Sequence, residues 1–121
     1  MSKTRIGLGK RGEDAAAAYL IDKGYLIVSR NYRRRSGEID IICKDGNCYV
    51  FIEVKTRQGT YFGDPIEAVT VHKQRQIRRT ALDYLTRKNL LDIPVRFDVI
   101  GIMLTDGRTD ITHIIDAFEA A

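Results

Sequence analysis

A chain of 121 residues suits one domain spanning 1–121, large enough to bury a core and too small to divide in two. Lys and Arg number 20 against 16 Asp and Glu, a net charge of +4 with a sequence pI of about 9.2, which leans towards a polyanionic partner. No stretch approaches the ~20 apolar residues of a membrane-spanning helix and Met1 to Arg11 lacks a signal-like apolar run, so a cytoplasmic protein with no membrane partner is expected.

From about Lys10 to Lys23 the alanine-rich run Ala15 to Ile21 favours a helix, which Gly24 is placed to end as a left-handed cap. Positions 13, 16, 17 and 20 share one helical stripe, so Glu13 lies on the side of Ala16, Ala17 and Leu20. Asp14 has a comparable stripe through Ala17, Ala18 and Ile21, and periodicity alone leaves the choice between the two acids open. Tyr25 to Tyr32 reads as a first strand running into a bend at Arg33-Arg34-Arg35-Ser36. Such a bend is either a solvated turn or a phosphate-contacting loop, since guanidinium forks match phosphate oxygens. The acidic segment that follows it favours the second.

That segment, Gly37 to Arg57, predicts a β-hairpin with chemistry on one face. Successive strand side chains point to opposite faces, which puts Ile39, Ile41 and Cys43 together and Glu38 and Asp40 opposite them. On the second arm Val50, Ile52 and Val54 form the apolar face, and Glu53 and Lys55 project together on the other. The turn lies within Lys44-Asp45-Gly46-Asn47 and allows two registers. With Asp45-Gly46 at the turn, Glu53 faces Glu38; with Gly46-Asn47, it faces Asp40. Either way several carboxylates share a face and need cations: Lys55 supplies one, and a hard divalent ion suits the remaining oxygens. Cys43 and Cys48 flank the turn as free thiols. His72 and His113 are isolated in sequence, with no zinc-type spacing.

Gln58 to Gly63 reads as a loop in which Tyr61 or Phe62 either stacks on an unpaired base or packs the hinge. Asp64-Pro65-Ile66-Glu67 is a helix start with Asp as the cap and Pro at the first position, predicting one helix to about Lys88. Its stripe through Ile66, Val69, Ile77, Ala81, Tyr84 and Leu85 passes position 73, turning Lys73 inward among Gln74, Arg75, Gln76, Arg78 and Arg79. Val95 to Leu104 predicts an interior strand in which the charged Asp98 must be paired, with Arg96 or a neighbouring helix. A turn at Thr105 to Arg108 leads to an edge strand from Ile111 to Ile115. The order α-β-β-β-α-β-β predicts an α/β fold with a mixed sheet of about five strands flanked by helices and a right-handed crossover.

The pattern Gly12-Glu13-Asp14-Ala15-Ala16, Gly24-Tyr25, Arg30-Asn31-Tyr32-Arg33, Gly37 to Ile42, Phe51 to Arg57 and Glu67-Ala68-Val69 resembles the bacterial YraN family across essentially the whole chain. Within it, Asp40 followed by Glu53-Val54-Lys55 is similar to the signature of the restriction-endonuclease-like PD-(D/E)xK superfamily, and more distantly to archaeal Holliday-junction resolvases. The resemblance implies a restriction-endonuclease-like three-layer core and favours Glu13 over Asp14. It implies catalytic Glu13, Asp40, Glu53 and Lys55, with Mg²⁺ or Mn²⁺ held by Asp40 and Glu53 and assisted by Glu13. It also implies a reaching Lys or Gln on the next helix, matched by Lys73. Arg33, Arg34, Arg35, Arg57, Lys73, Arg75 and Arg79 are then the expected nucleic-acid contacts, DNA the expected partner, and a homodimer the means of cutting two strands. The expected activity is metal-dependent hydrolysis of phosphodiester bonds, branched or repair intermediates included. Its rivals are a non-catalytic nucleic-acid-binding module on the same fold and a protein-binding surface on which Lys55 merely neutralises Glu53.

Overall fold

The computed structural model describes residues 2–59 and 64–120, with side chains from residue 7 onward. Helix α1 (Ser2–Asp22) precedes strands β1 (Leu26–Arg34), β2 (Gly37–Asp45) and β3 (Cys48–Gln58). A 3-10 turn (Pro65–Ala68), helix α2 (Val71–Arg87) and strands β4 (Val95–Thr105) and β5 (Arg108–Phe118) complete the chain. The five strands form one mixed sheet in the order β1-β2-β3-β4-β5. All neighbours are antiparallel except β3 and β4, the pair joined through α2. This is the expected α/β architecture.

Each helix covers one face. Ala16, Ala17 and Leu20 of α1 pack on Ile41, Cys43, Val50, Ile52, Val54, Ile100, Ile102 and Leu104. On the opposite face Ile77, Ala81, Tyr84 and Leu85 of α2 pack on Ile39, Ile42, Phe51, Phe97, Val99 and Phe118. Phe51, Phe97 and Phe118 stack across β3, β4 and β5 with centroids 5.6 and 5.1 Å apart, and Tyr84 meets Phe51 edge-on. Phe97 to Ile102 is buried throughout, as a strand covered on both faces requires.

Several boundaries differ from the sequence reading. Helix α1 begins at Ser2 rather than near Lys10, its glycines notwithstanding, because extending an existing helix adds a hydrogen bond per residue without a new nucleus. The single helix expected from Pro65 is two elements. Asp64 caps only the 3-10 turn, the chain leaves helical geometry at Val69 and is extended at Thr70, and Thr70 starts α2 afresh by accepting a hydrogen bond from the Lys73 amide at 3.2 Å. Strand β1 extends through Arg33 and Arg34, so two of the three arginines lie in a strand rather than a bend. Strand β5 runs to Phe118, well beyond Ile115, and lies at the expected edge.

Gly12 of α1 lies directly against Thr56 of β3. A Cβ there would stand 1.8 Å from Thr56 Oγ1 and 2.8 Å from Thr56 Cβ. Gly12→Ala should therefore cost about 1–3 kcal/mol in urea unfolding, the usual range for overpacking. Thr56→Ala in the same chain should restore part of that loss, and independent, additive effects would show that the two positions do not touch.

Candidate active site

The β2–β3 hairpin turns at Gly46-Asn47, with Asp45 opposite Cys48 and Gly46 at φ +60°, the left-handed region glycine enters without steric cost. That decides between the two registers. The ladder runs from this turn to Ile41 opposite Ile52, so one step further brings Asp40 level with Glu53. There the regular pairing stops. The Val54 amide donates to Asp40 Oδ2 at 2.8 Å, so a side chain takes the backbone donor. Across β1, Asn31 sits at φ +54° between the paired residues Arg30 and Tyr32, a conformation Asn tolerates better than most residues. The irregularity switches faces: Ile39 packs with α2, whereas Ile41 and Cys43 pack with α1. The expectation that these three share a face is corrected accordingly, because strict alternation holds only while the ladder is regular.

Glu53 is 5% exposed, and its Oε2 is shared by two ammonium groups, Lys55 Nζ at 3.2 Å and Lys73 Nζ at 3.9 Å. Lys55 comes from the same strand face two residues on. Lys73 comes from the first turn of α2, and the helix restart at Thr70 is what directs it there. Asp40 has no such ammonium among the described residues. Burial first, and then the negative charge of Glu53, drive its carboxyl from an ordinary 3.8 up to about 8, with Glu13 and Glu38 adding to the push and the Val54 amide opposing it.

A carboxyl raised in the folded state contributes stability below its unfolded pKa and loses it as pH rises through the folded value. Without divalent cations, this contribution should be lost progressively from about pH 4 to about pH 8 and stay flat above that. Asp40→Asn keeps an oxygen acceptor for Val54 and should remove that loss, so its melting temperature should overtake the wild type's at pH 9. A constant gap across this window would show that Asp40 titrates normally.

Glu13 stands at the rim, turned inward on α1, with Arg30 Nη2 4.0 Å from its Oε1. Burial raises its carboxyl, against the Arg30 charge and an Asn31 hydrogen bond. Asp14 is more exposed and pairs outward with Arg30 at 2.8 Å and Lys10 at 3.5 Å. Burial thus separates the two acids that periodicity left equivalent. Among the described residues no three His, Cys, Asp or Glu side chains converge as a preformed cage. Asp40 and Glu53 nevertheless fit a hard cation: the available donors are carboxylate oxygens, and Asp40 is short of positive charge.

The expected basic contacts separate. Lys73 is in the site. Arg33 pairs with Glu38, and Arg34 with Asp83 at 3.0 Å. Arg35 and Arg79 line a groove with Arg34 and Arg87. Arg75 is exposed on α2, and Arg57 donates to the Thr56 carbonyl at 3.3 Å. Tyr61 and Phe62 lie outside the described residues. Sequence reasoning missed Arg30 and Asn31 as parts of the site, although both belong to the Arg30-Asn31-Tyr32-Arg33 motif; the unusual φ of Asn31 has no sequence signal beyond its residue type.

On the α1 face, Asp98 is fully buried and pairs with Arg96 at 3.0 Å as expected, and also with His113 Nε2 at 2.7 Å. His113 Nε2 donates to the Asp98 carboxylate, and its Nδ1 lies 3.0 Å from the Tyr19 hydroxyl. His113, isolated in sequence, is thus part of a buried network. No described helix is long and apolar enough to cross a membrane.

The fold and site define a three-layer α/β protein whose mixed sheet carries a carboxylate pair backed by two lysines where its β2–β3 ladder ends. Residues 12–102 match the Uncharacterised protein family UPF0102, and the chain belongs to that family, as the motifs led us to expect. It is 54% identical over 115 residues to a UPF0102 protein of Geobacter sulfurreducens, covering 94% of this chain and 90% of that one. It is 47% identical over 121 residues to one of Geobacter metallireducens, covering 100% and 99%, and 47% identical over 114 residues to one of Rhodococcus opacus, covering 93% and 97%.

Proposed function

We propose that the protein is a metal-dependent nuclease of the PD-(D/E)xK type that hydrolyses phosphodiester bonds in DNA. The observation that carries this reading is the abutment of Asp40 and the buried Glu53, with Lys55 and Lys73 both on the Glu53 carboxylate. Both lysines are engaged by Glu53, so Asp40 has no cation in direct contact among the described residues, and a divalent ion would supply one. Asp40 and Glu53 would hold Mg²⁺ or Mn²⁺, with Glu13 and Arg30 at the rim; the ion, when bound, supplies charge neutralisation and a more acidic water. Lys55 is within reach of a phosphate oxygen at that position and stabilises the charge that develops on it. Lys73 holds the Glu53 carboxylate in position and adds positive charge for the incoming strand.

The resolvase-like motif and the net charge of +4 support branched DNA or repair intermediates as the substrate class, and a homodimer as the form that cuts paired strands. The test is a panel of branched, nicked, single-stranded and duplex DNA with Mg²⁺, Mn²⁺ or EDTA, with Asp40→Ala run in parallel. Metal-dependent cutting that Asp40→Ala abolishes is the expected result. No cutting of any substrate, with intact binding, would establish the non-catalytic module instead. Calorimetry with Mn²⁺ should show binding that Asp40→Ala loses.

A further inference from the structure

The β1–β2 turn is seated on α2 beyond Lys73. Thr80 Oγ1 donates to the Gln76 carbonyl at 2.8 Å and lies 3.0 Å from Ser36 Oγ, so the Ser36 hydroxyl is the donor between them. This contact sets Arg34 and Arg35 opposite Arg79 and Arg87. Together with Ser36 and Asp83 they line an open groove of about 490 Å³, within the ~300–1,000 Å³ of ligand-sized clefts. Asp83 accepts from Arg34 at 3.0 Å and from Arg87 at 3.2 Å and holds both side chains. Arg35 and Arg79 are exposed and have no acidic partner among the described residues. Four guanidinium charges against one carboxylate leave the groove at +3. Crowding unpaired like charges stabilises nothing in the fold; it attracts an anion, and planar guanidinium forks suit phosphate oxygens.

The groove also has a fixed relation to the carboxylate centre. Lys73, Arg79 and Arg87 lie on one helix, so Arg79 is about 9 Å and Arg87 about 21 Å further along its axis than Lys73. One strand of a duplex advances about 3.4 Å per phosphate, so this span corresponds to about three to six nucleotides. We propose that the arginine groove is a remote phosphate site: it takes the backbone of a nucleic-acid strand about three to six nucleotides from the Asp40–Glu53 centre. The ligand is then a polynucleotide strand lying along α2, and a small phosphate ester cannot span both sites. This inference rests on the nuclease reading for the identity of the ligand.

Arg35→Ala/Arg79→Ala tests it by fluorescence anisotropy with a labelled 12-nucleotide strand and a 12-base-pair duplex in EDTA, over a range of salt concentrations. Affinity should fall at least tenfold, and the slope of log affinity against log salt should shrink by about 1.4 for the single strand and 1.8 for the duplex. Arg35→Lys/Arg79→Lys should keep most of the slope while losing fork-dependent affinity, which guards against a folding defect in the alanine variant. Unchanged affinity and slope in the alanine variant overturn the groove. Wild type that binds in this groove-dependent way yet cuts nothing with Mg²⁺ or Mn²⁺ upholds the groove and sinks the nuclease reading alone.

Discussion

Lys55→Ala is expected to lower DNA cleavage by about 10²–10³-fold, the range for losing one preorganised charge stabiliser, while DNA affinity stays within about tenfold. Lys55 is one of 20 basic residues and contributes a small share of long-range attraction. The fold should survive, because Glu53 keeps Lys73 at 3.9 Å when the 3.2 Å contact to Lys55 is removed. Lys73→Ala separates the two functions: a strut shared equally by both lysines predicts equal effects, whereas a transition-state role confined to Lys55 predicts a larger loss of rate there. If Lys55→Ala unfolds the protein, or cuts at the wild-type rate, Lys55 only neutralises Glu53.

The largest loss of stability should come from Asp98→Ala, at about 3 kcal/mol in urea unfolding. The carboxylate accepts from Arg96 Nε and Nη2, from His113 Nε2 and from the Asp116 amide, and has no contact with solvent. Arg96 would retain Asp45 at 2.9 Å and Tyr25 at 2.6 Å, which keeps the loss at the low end for a broken buried pair. His113 and the Asp116 amide would lose this acceptor. Asp116 is held at φ +55° beside the register shift between β4 and β5, so that end of the sheet should loosen first.

Burial pushes the Asp98 carboxyl up, but the hydrogen bonds from His113, Arg96 and Asp116, with the Arg96 charge, outweigh it and hold it below its ordinary 3.8. A depressed carboxyl contributes stability that is present above its unfolded pKa and lost as pH falls through the folded value. The gap between wild type and Asp98→Asn should therefore narrow as pH falls below about 4, with little change between pH 6 and 8. A gap that widens in acid would mean that Asp98 is buried neutral.

Much of this molecule is legible in the residues. The alternation of Tyr49 to Lys55 fixes a strand and the face it buries, the alanine run marks a helix, and the unbroken apolar run Val99 to Leu104 marks a strand covered on both faces. Glu53 and Lys55 therefore had to share a face, whereas the stripe through Ile66 and Val69 assumed one helix and Lys73 owes its place to the restart of α2 at Thr70. That Asp98 must be paired followed from the cost of an unpaired charge in an apolar strand, with Arg96 one of the partners the sequence allowed.

Tertiary structure decided what depends on registration between segments distant in sequence. Both hairpin registers satisfied local turn chemistry, and the sheet selected the one that brings Asp40 level with Glu53. The face switch at Asp40 arises because the Val54 amide takes a carboxylate in place of a strand partner, a trade that no periodicity encodes. Glu13 and Asp14 have equivalent stripes, and only the approach of Gly12 to Thr56 and the position of Arg30 on β1 turn one inward and the other out. His113 gained its partners from strand pairing and from α1 in the same way, 15 residues from Asp98 and 94 from Tyr19. Sequence patterns determine secondary structure and burial because those are local energies; which charges meet is set by packing across the sheet.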